Sequence, residues 1–148
     1  MIASQIDAII DALESMAVTG VTTVYRGSTL KDSVEVADLP CRIISAIGMQ
    51  SNRLQTRTFQ SGHVMQTEWT LVDVALLRAA GMGVGLSDIA PSQEAYLGHY
   101  HDALRTLIGP AWTVTGASLR SQVLEWPQAS GRYYDVVTAT LNISEIIQ

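Results

Sequence analysis

Ile2, Ile6, Ile9, Ile10, Leu13 and Ala17 recur at spacings of three and four, while Ser4, Gln5, Asp7, Asp11, Glu14 and Ser15 take the other face. That period predicts an amphipathic helix laid on something apolar. It is expected to end around Thr19-Gly20, where glycine supplies a left-handed cap, and the β-branched run VTTVY, Val21 to Tyr25, then reads as a strand. Arg26 to Pro40 mixes turn formers with charges and reads as a loop, after which CRIISAIG, Cys41 to Gly48, is strand-like.

The next stretch breaks the pattern. In SNRLQTRTFQ the odd positions Arg53, Gln55, Arg57 and Phe59 and the even positions Leu54, Thr56, Thr58 and Gln60 are both mostly polar, so neither face could line a core. Ser61-Gly62 supplies a turn, and Val64 to Arg78 becomes steadily more apolar toward its end. Residues 41 to 78 are therefore expected to form one long antiparallel hairpin, its base in a sheet and its polar tip projecting. A Gly-rich connection, Ala79 to Gln93, precedes a second helix in EAYLGHYHDALRTLIG, where Leu97, Tyr100, Leu104, Leu107 and Ile108 form one stripe and Gly109-Pro110 ends it. Strands are expected over Trp112 to Thr115, Ser121 to Trp126 and Tyr133 to Ser144. In the last, Tyr133, Val137, Ala139, Leu141 and Ile143 share a face on which Asp135 is the exception, opposite Thr138, Thr140, Asn142 and Ser144. Such alternation marks a sheet covered on one side. The expected fold class is α+β, a mostly antiparallel sheet with two helices packed on one face and a long projecting β-hairpin, in a single domain over 1–148.

Composition changes this picture in one respect. The chain of 148 residues is 47% hydrophobic and only 16% charged, against about 25% charged in ordinary globular chains. Much of the surface must then be Ser, Thr, Gln or apolar, which suits assembly. A pI of about 5.0 argues against general phosphate neutralisation on nucleic acid. The single cysteine, Cys41, excludes an internal disulfide and leaves no Cys pair for zinc, so a reducing compartment is the simplest inference. Asp7, Asp11 and Glu14 interrupt the first apolar run, which reads as neither signal peptide nor membrane span.

Motifs that carry chemistry are weak. GMGVG, Gly81 to Gly85, falls between a strand and a helix as phosphate loops do, but lacks a following Gly-Lys-Ser/Thr and stands several residues before the expected helix start. His99 and His101 point in different directions on a helix and read as surface positions flanking Tyr100, without a metal role. No strand-turn-helix elbow frames any serine, and no catalytic residue, metal ligand or cofactor is assigned. Trp69, Trp112 and Trp126 fall on expected strands and read as core.

Charge segregation is the stronger signal. No acid occurs from Leu39 to Thr67, a run that holds Arg42, Arg53 and Arg57, whereas residues 1 to 38 hold Asp7, Asp11, Glu14, Asp32, Glu35 and Asp38 against Arg26 and Lys31. One explanation is two ordinarily solvated surfaces. The other is a heterologous contact in which the basic hairpin of one subunit meets the acidic edge of its neighbour.

The order of elements, an N-terminal helix, VTTVYRG, a loop ending DLPCRIIS, a long polar hairpin, the helix EAYLGHYHDALRTLIG and a closing GRYYDVVTATLNISEI, resembles the tail terminator and tail-completion proteins of long-tailed bacteriophages. The resemblance covers nearly the whole chain and rests on architecture and size. It implies a non-enzymatic virion protein, assembled in the host cytoplasm, that forms a ring, usually a hexamer, on the end of the tail tube. Such a ring stops tube polymerisation and offers a surface to the head-tail connector, and DNA passes through it without sequence-specific binding. Its partners are further copies of itself, the tail tube protein and the connector. Arg53, Arg57 and His63 on the hairpin, and Asp32, Glu35 and Asp38 on the acidic side, are then candidates for the subunit interface or lumen by charge and position. Another neck or head-completion adaptor is the nearest alternative. A small-ligand or nucleotide-binding protein using Gly81 to Gly85 is the alternative from a different class.

Overall fold

A computed structural model describes residues 5–26, 38–45, 55–60, 64–80, 86–125 and 131–147. Along the chain run α1 (Ile6–Ser15), β1 (Thr23–Arg26), β2 (Cys41–Ser45), β3 (Gln55–Gln60), β4 (Val64–Ala80), α2 (Leu86–Leu104), β5 (Trp112–Glu125) and β6 (Tyr133–Ile147). The fold is α+β. Six strands form one sheet in the order β1-β2-β4-β6-β5, with β3 also pairing β4. Only the β1-β2 pair is parallel among these ladders.

β4 organises the sheet. Along one side it pairs β6 over almost its whole length, from Met65 opposite Ile147 to Ala80 opposite Tyr133. Along the other side its first part, Val64 to Trp69, pairs β3 and its later part, Val72 to Leu76, pairs β2. The expected antiparallel hairpin is thus present, its incoming arm made by β2 and β3 and its return arm by β4.

Both helices pack on the same sheet face. Ile9 and Leu13 of α1 and Tyr96, Tyr100 and Ala103 of α2 share one core with Ile44, Trp69, Leu71, Ala75, Leu77, Val137, Ala139, Leu141 and Ile143. These strand positions alternate as a one-sided sheet requires. Full burial of a side chain such as Leu71 or Leu141 contributes roughly 1.5–3 kcal/mol. On the opposite face Cys41, Ile43, Leu76, Tyr134 and Val136 form a smaller cluster. β6 is therefore covered on both sides near its start, where alternation had indicated one, and Tyr133, expected inside, is 42% exposed.

Several boundaries differ from the sequence expectation. α1 ends at Ser15 because Met16 turns extended (ψ 120°) and sends Met16 and Val18 into the core. Gly20 then takes a left-handed turn (φ 88°) into β1. α2 starts at Leu86, eight residues earlier than its apolar stripe announced, and runs through Pro91. Proline removes one helical hydrogen bond there, and the turn is held from outside: Gln93, buried, donates its side-chain amide to the carbonyl of Gln122 at 3.2 Å. β5 is one continuous strand through Gly116-Ala117-Ser118, because β6 offers partners on both sides of that run and a register shift between Val114 and Gly116 absorbs the irregularity. α2 also ends at Leu104, short of the expected stop at Gly109-Pro110, and Ile108, expected on its apolar stripe, is 80% exposed; Gly109 instead makes a close approach, since a Cβ there would overlap the Trp112 ring.

Candidate functional site

The polar stretch that interrupts the sequence pattern becomes β3. Its residues pair β4 from Gln55 opposite Trp69 to Gln60 opposite Val64, and among the described residues its other edge has no partner strand. Gln55, Arg57, Thr58 and Phe59 are exposed, Phe59 by 76%. The Arg57 Nε donates to Thr67 Oγ1 at 3.2 Å, which holds the stem of the side chain on β4. Among the described residues Arg57 has no acidic partner. An edge strand with an exposed aromatic ring and an uncompensated cation is a surface suited to a second chain.

Asp38 is half-buried and accepts a hydrogen bond from the Tyr25 hydroxyl at 3.2 Å. It lies just before Cys41, which pairs Leu76, whereas Arg57 pairs Thr67. Nine residues of β4 separate those partners, roughly 30 Å at strand rise. The basic and acidic candidates that the structure places therefore sit toward opposite ends of the sheet. Arg53, His63, Asp32 and Glu35 lie outside the described residues, as do Gly81 to Gly85 and Trp126. Part of the acidic segment is satisfied internally: Arg26 bonds Glu14 at 2.6 Å and also Asp11, and Glu14 first, then Asp11, raises the Arg26 pKa.

Arg42 does not belong to the basic surface in which its charge had placed it. It is fully buried, and its guanidinium donates to Asp73 Oδ2 through Nε at 3.0 Å and Nη2 at 2.6 Å, to the Met16 carbonyl at 2.9 Å and to the Leu13 carbonyl at 3.0 Å. Burial opposes the Arg42 charge and the Asp73 carboxylate more than offsets it, so its pKa is raised. The Tyr100 hydroxyl donates to the same Asp73 oxygen at 2.7 Å. Burial, then Asp73, pushes the Tyr100 hydroxyl far up, so it stays a donor.

This constellation is an anchor for α1. The Leu13 and Met16 carbonyls belong to the helix C-terminus, where a cation complements the dipole. At the other end the Gln5 backbone N–H donates to Glu145, fully buried on β6, whose second oxygen accepts the Trp69 indole N–H at 2.9 Å. Glu145 does from a distant strand what the acidic arm of a capping box does locally. A third buried carboxylate, Asp135, accepts from Arg78 Nε at 2.5 Å. Of these acids only Asp135 stood out beforehand, as the exception on an apolar face. Asp73 within LVDVALL and Glu145 two residues beyond Ile143 occupy the same inward phase, and that phase was the available signal.

His99 and His101 are exposed on either side of fully buried Tyr100, and Trp69 and Trp112 are buried in the core. Among the described residues no three metal-binding side chains converge; Asp73 and Glu145 tie the helices to the sheet and Asp135 ties β6 to β4, while Asp73 Oδ1 and Asp135 Oδ1 have no hydrogen-bond partner there. No protein-family model and no curated protein matches the chain.

Proposed function

We propose that this chain is a structural protein of a long-tailed bacteriophage virion, a tail terminator that forms a ring on the end of the tail tube, stops its growth and presents a face to the head-tail connector. The observation that carries this reading is the opposed placement of Arg57 and Asp38 about 30 Å apart along β4. Complementary charges so far apart cannot meet within one chain. They can meet between copies arranged head to tail, and a heterologous contact that closes makes a ring. The uncovered β3 edge with Phe59 adds apolar area at the same end, and the element order remains that of the resemblance.

Native mass spectrometry of the purified protein, alone and with tail tubes, tests the proposal in units of the 16.0 kDa chain. A closed multiple, six being expected, supports it, and Arg53→Glu with Arg57→Glu should abolish that multiple while leaving the melting temperature unchanged. A strict monomer that also ignores tubes would sink the terminator reading. Attachment to the connector instead of the tube would point to another neck or head-completion adaptor.

One observation favours the nucleotide-binding alternative more than the sequence did. α2 begins directly after Gly85, so the Gly-rich run leads straight from β4 into a helix N-terminus, where backbone N–H groups favour anions. Titration with ATP, with Gly83→Ala as control, decides it: saturable heat lost in the variant supports that reading.

A further inference from the structure

Asp73 uses its two oxygens unequally. Oδ2 accepts from Arg42 Nε at 3.0 Å, Arg42 Nη2 at 2.6 Å and the Tyr100 hydroxyl at 2.7 Å, whereas Oδ1, on a residue 1% exposed, has no hydrogen-bond partner among the described residues. Tyr96 stands one helical turn before Tyr100 on the same face of α2, its ring 5.8 Å from the Tyr100 ring and tilted from it by 33°. Its hydroxyl is also buried and without a partner among those residues. After burial, Asp73 is the strongest influence raising the pKa of both phenols, and Arg42 opposes it at both. The Tyr96 hydroxyl therefore belongs to the interior built around the Arg42-Asp73 pair, and at neutral pH it is a donor.

One buried donor and one buried acceptor thus lie in the same cluster without bonding each other, and a native fold keeps few such groups unsatisfied. Their chemistry narrows what joins them. The bridging group must take a proton from Tyr96 and give one to Asp73 Oδ1. An anion would meet the carboxylate, a metal cation has no lone pair for the phenol proton, and the Asp73 charge already has its counter-ion in Arg42. An apolar body would satisfy neither atom. We propose that a single internal water bridges the Tyr96 hydroxyl and Asp73 Oδ1, accepting from the phenol and donating to the carboxylate. Internal waters bond otherwise unsatisfied buried groups in this way. The bridge ties a second tyrosine of α2 to the carboxylate that already holds Tyr100 and, through Arg42, the end of α1. A water so enclosed leaves only when α2 lifts from the sheet, so its residence time reports that opening. The site does not depend on the assembly reading.

Magnetic relaxation dispersion of the solvent, measured on the full chain, counts its long-lived internal waters. Tyr96→Phe should lower that count by one, and Tyr100→Phe, whose hydroxyl binds the other Asp73 oxygen, should leave it unchanged. In the isotope-labelled wild type, the Tyr96 ring protons should show an NMR cross-peak to water with the sign of a bound molecule. An unchanged count in Tyr96→Phe, the same loss in Tyr100→Phe, or the absence of that cross-peak would overturn the proposal. So would a crystal structure in which the Tyr96 hydroxyl bonds Asp73 Oδ1 directly. The cross-peak is read on the wild type, so it decides the matter even where a variant fails to fold.

Discussion

Arg42 shows how much one buried charge decides. Its guanidinium makes four hydrogen bonds, two to a carboxylate and one to each of two helix carbonyls, without any exposure, and removal of the cation leaves the Asp73 charge buried without its counter-ion. Arg42→Met should therefore cost about 3–5 kcal/mol in urea denaturation, and Arg42→Met with Asp73→Leu should cost less than the single change, because the stranded charge goes too. Tyr100→Phe, which takes one donor from Asp73, should cost about 1.5–3 kcal/mol. Cys41 offers a pH test. Burial, then the nearby Asp38, pushes its thiol up to about 11 from an ordinary value of 9.0. Below pH 9 the thiol is protonated folded or unfolded, and its contribution is complete. Between about 9 and 11 the unfolded chain ionises first, so stability falls as pH rises. Relative to Cys41→Val, the wild type should lose about 2 kcal/mol between pH 8 and 10.5. A constant difference across that range would mean the thiolate is tolerated. None of this was legible from Arg42 or Cys41 alone, because a charge in an acid-free run reads the same whether it faces water or a carboxylate thirty-one residues away.

At the scale of elements, periodicity found what local chemistry controls. The α1 stripe located Ile9 and Leu13, the alternation of β6 located Val137 to Ile143, and the polar run located β3. It misplaced the boundaries that partners at a distance decide. α1 stops where Arg42 receives its carbonyls, α2 passes Pro91 with Gln93 held by the β5-β6 sheet, and β5 continues through glycine because β6 is there to pair it. These ties can be tested separately. Glu145→Leu strands the Trp69 indole N–H and the Gln5 amide and should cost about 2–4 kcal/mol. Hydrogen exchange should then accelerate in the first turn of α1 more than in its last, and Arg42→Met should show the reverse gradient. Uniform acceleration in both variants would mean α1 leaves the sheet as a unit. Gly109→Ala, which drives a methyl into the Trp112 ring, should lower stability by about 1–3 kcal/mol.

For the molecule as a whole, two of the six residues singled out by charge, Arg57 and Asp38, fall among the described residues, and they lie toward opposite ends of the sheet. Arg57 and Asp38 were brought to opposite ends of one strand, whereas Arg42, Asp11 and Glu14 were withdrawn into internal pairs. A head-to-tail contact built from what remains should weaken with salt. Sedimentation velocity between about 0.05 and 0.5 M salt should show assemblies dissociating as screening rises, and Arg57→Glu should shift the midpoint to lower salt. Salt-independent assembly would move the contact to the apolar side chains, Phe59 first. The two-ended hold on α1 has a consequence in time. Its first amide waits for a carboxylate 140 residues later in the chain, and at roughly 5–20 residues per second of synthesis that interval is on the order of ten seconds. Throughout it, Ile9 and Leu13 lack the last strand of the sheet they will cover. Until translation reaches β6, the apolar stripe of α1 therefore has no complete sheet to cover.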